Sequence, residues 1–126
     1  MKTIITTNKA PQPIGPYSQA VLVGTTLYTS GQIALHPETG KLVTDSITEE
    51  TTQVMNNLKA VLEAADMTSE NVIKASIFIS DMNSFAAINT IYGQYFEEAT
   101  APARETVEVA NLPKYVNVEI SVIAVK

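Results

Sequence analysis

Apolar and polar residues recur along this chain with two different periods, and the switches between them mark the elements. Thr3 to Thr7 has the β-branched content of a short first strand. Lys9 to Tyr17 carries Pro11, Pro13, Gly15 and Pro16, which excludes regular structure and predicts a stiff, ordered loop. Ala20 to Val23 and Leu27 to Ser30 are β-prone runs around Gly24-Thr25-Thr26, the spacing of a tight hairpin, and Gly31 ends the second of them. His36 to Lys41 (HPETGK) places proline and glycine where a chain reverses.

From about Thr48 the period lengthens. Val54, Leu58, Val61, Leu62 and Ala65 recur at helical spacing as far as Asp66, with Ser46 or Thr48 as N-cap and Glu49 and Glu50 complementing the helix dipole. Val72 to Ser80 (VIKASIFIS) returns to strand residues, and alternation sends Ala75, Ile77 and Ile79 to one face and Lys74, Ser76, Phe78 and Ser80 to the other. A second helix, capped by Asp81 or Asn83, would carry Phe85, Ile88, Tyr92, Tyr95 and Phe96 on one stripe and end before Pro102. Two strands follow, one alternating Thr106 and Glu108 with Val107 and Val109, the other spanning Val116 to Val125. The turn Asn111 to Lys114 would let them pair as a hairpin.

This order argues for one α+β domain over residues 1–126, a mixed sheet with two helices on one face. A chain of 126 residues that is 45% hydrophobic can build one core, and no repeat, low-complexity segment or linker divides it. Two helices leave the second face uncovered, with Phe78, Tyr28 or Tyr115 and part of the last strand on it. Monomers avoid such patches, so other copies of the chain are expected to cover it in a closed oligomer.

Composition then removes function classes. A net charge of −5, with no basic stripe, makes nucleic acid and acidic membranes poor partners. The absence of cysteine excludes disulfides, thiolate nucleophiles and cysteine metal sites, and fits a reducing compartment. No leader-like or membrane-spanning apolar run is present, so a cytoplasmic protein is expected. The single histidine, His36, sits beside Pro37 in a turn, which argues against a Ser/His/Asp triad. The acidic residues lack metal-ligand spacing and no glycine-rich phosphate motif occurs, so neither a metal nor a nucleotide cofactor is expected.

What remains is Arg104, the only arginine against seven lysines, at the start of a strand. It reads either as an ordinary ion pair or as a fork for a carboxylate, a geometry lysine cannot supply. Glu119 shares a strand face with Asn117 and Ser121, on the side without helices, and across a hairpin it could approach Arg104. Gly31 is either a strand end or a place for close ligand approach. For Tyr17 a core aromatic is the favoured reading, and a hydrogen-bond donor to a ligand the other.

With these residues placed, the chain resembles the reactive intermediate deaminase family, RidA or YjgF. The likeness rests on IGPYSQA (Ile14 to Ala20), TSGQI (Thr29 to Ile33), SDMNSFAAIN (Ser80 to Asn89) and PARETVEVANLPK with a later VEI (Pro102 to Ile120). The resemblance implies a chorismate-mutase-like fold, a homotrimer around a barrel-like core, and active sites in the clefts between subunits. It also implies a cofactor-free hydrolysis of reactive 2-imino acids, released by pyridoxal-phosphate-dependent dehydratases, to 2-oxo acids and ammonium. Carried over by position, Arg104 clamps the substrate carboxylate and Glu119 activates water, with Tyr17, Ser30, Gly31 and Asn89 lining the pocket. Thr106, also counted with the substrate-binding set, stands where many members have a cysteine.

Glu105 departs from the small residue usual in the family. Alternation points it away from Arg104, whereas a bulge would let it compete for the guanidinium. Arg104 would lower the pKa of Glu119 and desolvation would raise it. The alternative to an enzyme is a small-carboxylate-binding or regulatory module without turnover; the presence of both Arg104 and Glu119 favours the enzyme. Ribonuclease or translation-inhibitor activity runs against the acidic balance. Chorismate mutase activity would need more than one arginine per chain for a dicarboxylate transition state.

Overall fold

A computed structural model describes residues 1–126 as six strands and two helices. They run β1 (Lys2–Ile5), β2 (Ala20–Val23), β3 (Thr26–Thr29), α1 (Ile47–Ala64), β4 (Val72–Ile79), α2 (Phe85–Tyr92), β5 (Ala103–Glu108) and β6 (Val118–Val125). The strands form one mixed sheet in the order β1-β2-β3-β6-β4-β5, antiparallel throughout except for the parallel pair β4–β5.

Local chemistry accounts for the element ends. Thr26 joins β3, leaving Gly24-Thr25 as the β2–β3 turn, and Gly24 takes the left-handed φ of +60° that a tight hairpin demands. Ser46, rather than Thr48, caps α1 by accepting from the Glu49 backbone N–H at 3.1 Å. Asp81 accepts from Asn83 N and caps a 3-10 turn, Met82–Ser84, that feeds α2. This helix is shorter than its aromatic stripe promised. It stops before Gly93, so Tyr95 and Phe96 follow in a second 3-10 turn and its exit, where they pack against the core half-buried.

Both helices lie on one face. Val54, Leu58, Val61, Ile88 and Tyr92 join Ala75, Ile77, Ile79, Val118, Ile120, Val122 and Ala124 in a single buried cluster. The predicted alternation of β4 is observed: Ala75, Ile77 and Ile79 are buried beneath the helices, while Ser76 and Phe78 are half-buried on the open face. Tyr28 and Val107 lie exposed on that same open face.

The expected β5–β6 hairpin does not form. Four of the eight β6 residues are apolar and buried beneath the helices, so β6 is drawn to the middle of the sheet, where β3 and β4 pair both its edges. The more polar β5, with Glu105 and Glu108 exposed, takes the sheet edge beside β4. Residues 109–117 then carry the chain back across the sheet, passing through consecutive left-handed residues at Lys114 and Tyr115 (φ 55° each).

Candidate active site

The strand order decides where the two charged residues go. Arg104 is in register with Ala75, whose side chain faces the helices, so the guanidinium lies on the helix-covered side at the sheet edge. Glu119 is in register with Phe78 and faces the open side. The two are therefore on opposite faces of one sheet with β4 between their strands, and the single chain does not bring them together.

Around Arg104, α2 supplies the setting. Asn89 Oδ1 accepts from the guanidinium Nη1 at 2.7 Å, and the rings of Tyr92 and Phe85 lie 5.0 and 5.7 Å from its central carbon. No carboxylate of the chain pairs with it, so the ordinary ion-pair reading fails. Thr106 sits two residues along on the same face. Its hydroxyl and that of Tyr92 are buried with no hydrogen-bond partner in the chain. Burial raises the Tyr92 phenol pKa, and the Arg104 charge offsets part of the rise. Unmet buried hydroxyls are costly, and they lie behind a recess lined by Asn89, Tyr92, Glu98, Pro102 and Arg104.

Glu105 points the other way, as alternation predicts, and β5 pairs with β4 without a bulge. It accepts from Ser76 Oγ at 2.7 Å and meets Lys74 Nζ at 3.1 Å; these two contacts hold its carboxyl below 4.5. It does not compete for the guanidinium of its own chain.

Glu119 lines a separate cleft of about 500 Å³ with Tyr17, Ser30, Gly31, Ile33 and Lys114. Beyond β3 the chain continues alongside β6 through a two-way bridge, Gln32 N to Ile120 O at 2.8 Å and Ile120 N to Gln32 O at 3.1 Å. This brings Gly31 directly against the glutamate: a Cβ there would lie 2.6 Å from Glu119 Oε1. Glycine is thus required for close approach, here to a side chain of the same fold. Burial lifts the Glu119 carboxyl above its ordinary value of 4.5.

The cleft wall is the proline-rich loop, and a buried amide organises it. Gln19 donates to the carbonyls of Thr7, Ala10 and Pro11 and accepts from Thr7 N at 2.7 Å. Ser30 donates its hydroxyl to Ser18 O at 2.5 Å, leaving oxygen lone pairs as acceptors. Tyr17 is 53% exposed over the cleft, which overturns the core reading: the loop closes at Gly15 (φ 120°) and turns the ring outward. Its phenol oxygen accepts a long bond from Ile14 N at 3.4 Å, so its own proton is free to donate.

Five predicted residues thus fall into two recesses, Arg104 and Asn89 in one and Tyr17, Ser30 and Glu119 in the other, with Gly31 at the floor of the second. Thr106, its hydroxyl buried, lies on the strand face of Arg104 without lining its recess. Phe85, Tyr92, Gln19 and Lys114 were not singled out for either. Tyr92 had a legible signal in retrospect, since it lies three residues from Asn89 and so one helical turn along the same face.

The sequence model described as endoribonuclease L-PSP matches residues 7–126. A RutC family protein of Synechocystis is 54% identical over 97% of this chain and 95% of its own. A 2-iminobutanoate/2-iminopropanoate deaminase of Capra hircus is 47% identical over all of this chain and 91% of that one. A solved Rid-family protein from Yersinia pestis has a TM-score of 0.97 at 47% identity, covering the whole of both chains.

Proposed function

The chain belongs to the endoribonuclease L-PSP family, the RidA or YjgF proteins, and on that premise we propose that it hydrolyses reactive 2-imino acids to 2-oxo acids and ammonium. One observation carries the reading. A guanidinium with no carboxylate partner and a desolvated carboxylate occupy opposite faces of the same chain, each in its own recess. Neither half suffices for water attack on an imine that is held by its carboxylate. Two copies in contact would supply both, the Arg104 recess of one facing the Glu119 cleft of the next.

The open sheet face, with Tyr28, Phe78 and Val107, and Tyr115 at 83% exposure, supports such packing. The assembly proposed is a cytoplasmic homotrimer with a barrel-like core and a chorismate-mutase-like protomer. No helix is long and apolar enough to cross a membrane.

In the assembled site Arg104 takes the substrate carboxylate on the edge of the guanidinium that Asn89 leaves free. The bound carboxylate neutralises the arginine charge before it reaches Glu119. Water then adds to C2 of the protonated imine as Glu119 accepts its proton, giving a 2-amino-2-hydroxy acid. Glu119 returns the proton to the amine, the C–N bond breaks, and the hydroxyl proton passes to Glu119 as the 2-oxo acid forms. The departing ammonia takes that proton and leaves as ammonium. One water is consumed and nothing is oxidised or reduced. Tyr17 and Ser30 line the same cleft as Glu119, which would set the phenol and the Ser30 oxygen beside the reacting carbon and its nitrogen. The net charge of −5 opposes the alternative chemistry in the family's ribonuclease name, because phosphate backbones would be repelled.

The test generates 2-iminobutyrate with a coupled dehydratase and traps the survivors with semicarbazide. Wild type is expected to lower the trapped fraction, Arg104→Ala to abolish the effect, and Glu119→Gln to leave about 1% of the rate. Full activity in both variants would overturn the assignment.

A further inference from the structure

We propose that Glu50 is a positioning residue for Glu119, acting from the far side of the sheet by fixing where β6 begins. Glu50 lies in the first turn of α1 with none of its surface exposed. Its Oε2 accepts from the backbone N–H of Asn117 at 2.7 Å and of Val118 at 3.1 Å, and its Oε1 accepts from Asn117 Nδ2 at 2.7 Å. These are charge-assisted bonds, stronger than neutral ones, and they end on the two residues that immediately precede Glu119. From the other side Ser80 N donates to Asn117 O at 3.0 Å. Because strand side chains alternate, a one-residue slip of β6 would turn Glu119 into the core.

The same helix face holds the opposite wall. Two turns along, Asn57 is buried and donates to Ile33 O at 3.1 Å and Leu35 O at 2.9 Å, both residues of the Glu119 cleft. Two polar side chains of α1 thus fasten both strips of backbone between which the Glu119 carboxylate sits. A helix that only had to pack would place apolar groups there, since a carboxylate buried without a cation is costly. Glu50 itself never reaches the cleft, so its effect passes through the backbone.

This proposal rests on Glu119 as proton acceptor, and Glu50→Gln and Glu50→Asp test it. Glutamine keeps the reach: its oxygen serves the two backbone N–H groups, and its NH2 faces Asn117, whose amide can turn over. Aspartate keeps the charge and falls one methylene short. Expected are a kcat within about threefold of wild type for E50Q, and a kcat at least about tenfold lower for E50D. In E50D KM should stay within about twofold, because the carboxylate-binding Arg104 lies elsewhere. Backbone amide exchange at Asn117 and Val118, measured without substrate, should quicken in E50D and not in E50Q.

A wild-type kcat in E50D, or equal losses in both variants, overturns the proposal. If the wild type hydrolyses no imine, the functional reading fails and exchange alone decides: equal protection in E50D and wild type then overturns positioning. Should E50D not fold, Asn117→Ala, which removes the Oε1 bond together with a 3.2 Å bond from Ser80 Oγ, is compared with Ser80→Ala, which removes only the latter. The kcat is then expected to be about threefold lower in Asn117→Ala than in Ser80→Ala at constant KM, and equal kcat in the two overturns the proposal.

Discussion

Arg104 and Glu119 are the two residues to which the proposed chemistry is assigned, and the fold prepares them by opposite means. Arg104 stays exposed and is only oriented, by an amide oxygen at 2.7 Å and two flat rings. A guanidinium remains charged under any ordinary condition, so recognition needs nothing but direction. Glu119 is half-buried against Gly31, and the loss of water raises its pKa toward the range where a carboxylate can take and return a proton. In the proposed reaction, orientation suits Arg104 to clamp a carboxylate and partial desolvation suits Glu119 to act as a base. Placing them on opposite faces also keeps the arginine of a chain from lowering the pKa of its own glutamate, so within the chain burial acts on Glu119 alone.

The comparison is broken most directly by mixing Arg104→Ala with Glu119→Gln after both are shown to be inactive. If each site draws its two halves from different copies, random exchange of subunits restores about a quarter of the sites; a site within one chain would restore none. Activity before and after unfolding and refolding the mixture gives the answer. Next in size is Gly31→Ala, whose Cβ would displace the Glu119 carboxylate. It should lower kcat by about tenfold to a hundredfold while KM, set by the arginine half, changes little. Asn89→Ala acts on the other half: KM should rise about threefold to tenfold with kcat held, the worth of one hydrogen bond. Steady-state kinetics on both variants separates the two regions, and a kcat effect confined to Asn89→Ala would contradict the division.

Smaller effects sharpen it. The folded state binds a proton at Glu119 more tightly than the unfolded chain, so the stability from protonation is present below 4.5 and is lost as pH rises through the raised folded value. Glu119→Gln should therefore raise Tm at pH 7 by about 1–2 °C and leave it unchanged at pH 4, as calorimetry can check. Wild-type activity should fade on the acid side through the same raised value. Glu105→Gln is expected to change KM by less than about twofold, because Glu105 faces Ser76 and Lys74, away from the guanidinium of its own chain. A large KM change there would place the carboxylate in the clamp.

Most elements were legible because their signals are local. Glycine and proline mark the turns at Gly24-Thr25 and Gly40, a serine caps α1, and the alternation of β4 and β6 states which side chains are buried. The order of the last strands was not legible, since nothing near Asn111 to Lys114 says that β6 will insert between β3 and β4. Glu50 stands in the first turn of α1, as expected for a residue favourable to the helix dipole, but its bonds to the start of β6 were not legible from that position. Its place on the stripe with Val54, Asn57 and Val61 was the available clue, because a charge on an apolar face is expected to be satisfied inside.

The amino-acid sequence by itself determined the elements, the helix-covered and open faces of the strands, and the identity of the residues able to bind a carboxylate or move a proton, because periodicity and side-chain chemistry are properties of short stretches. Only the tertiary structure decided that Arg104 and Glu119 stand on opposite sides of the sheet, that Gly31 is where the glutamate lies, and that a buried carboxylate holds the start of its strand. Those facts depend on which strands become neighbours, and strand order is set by the burial of whole surfaces against one another.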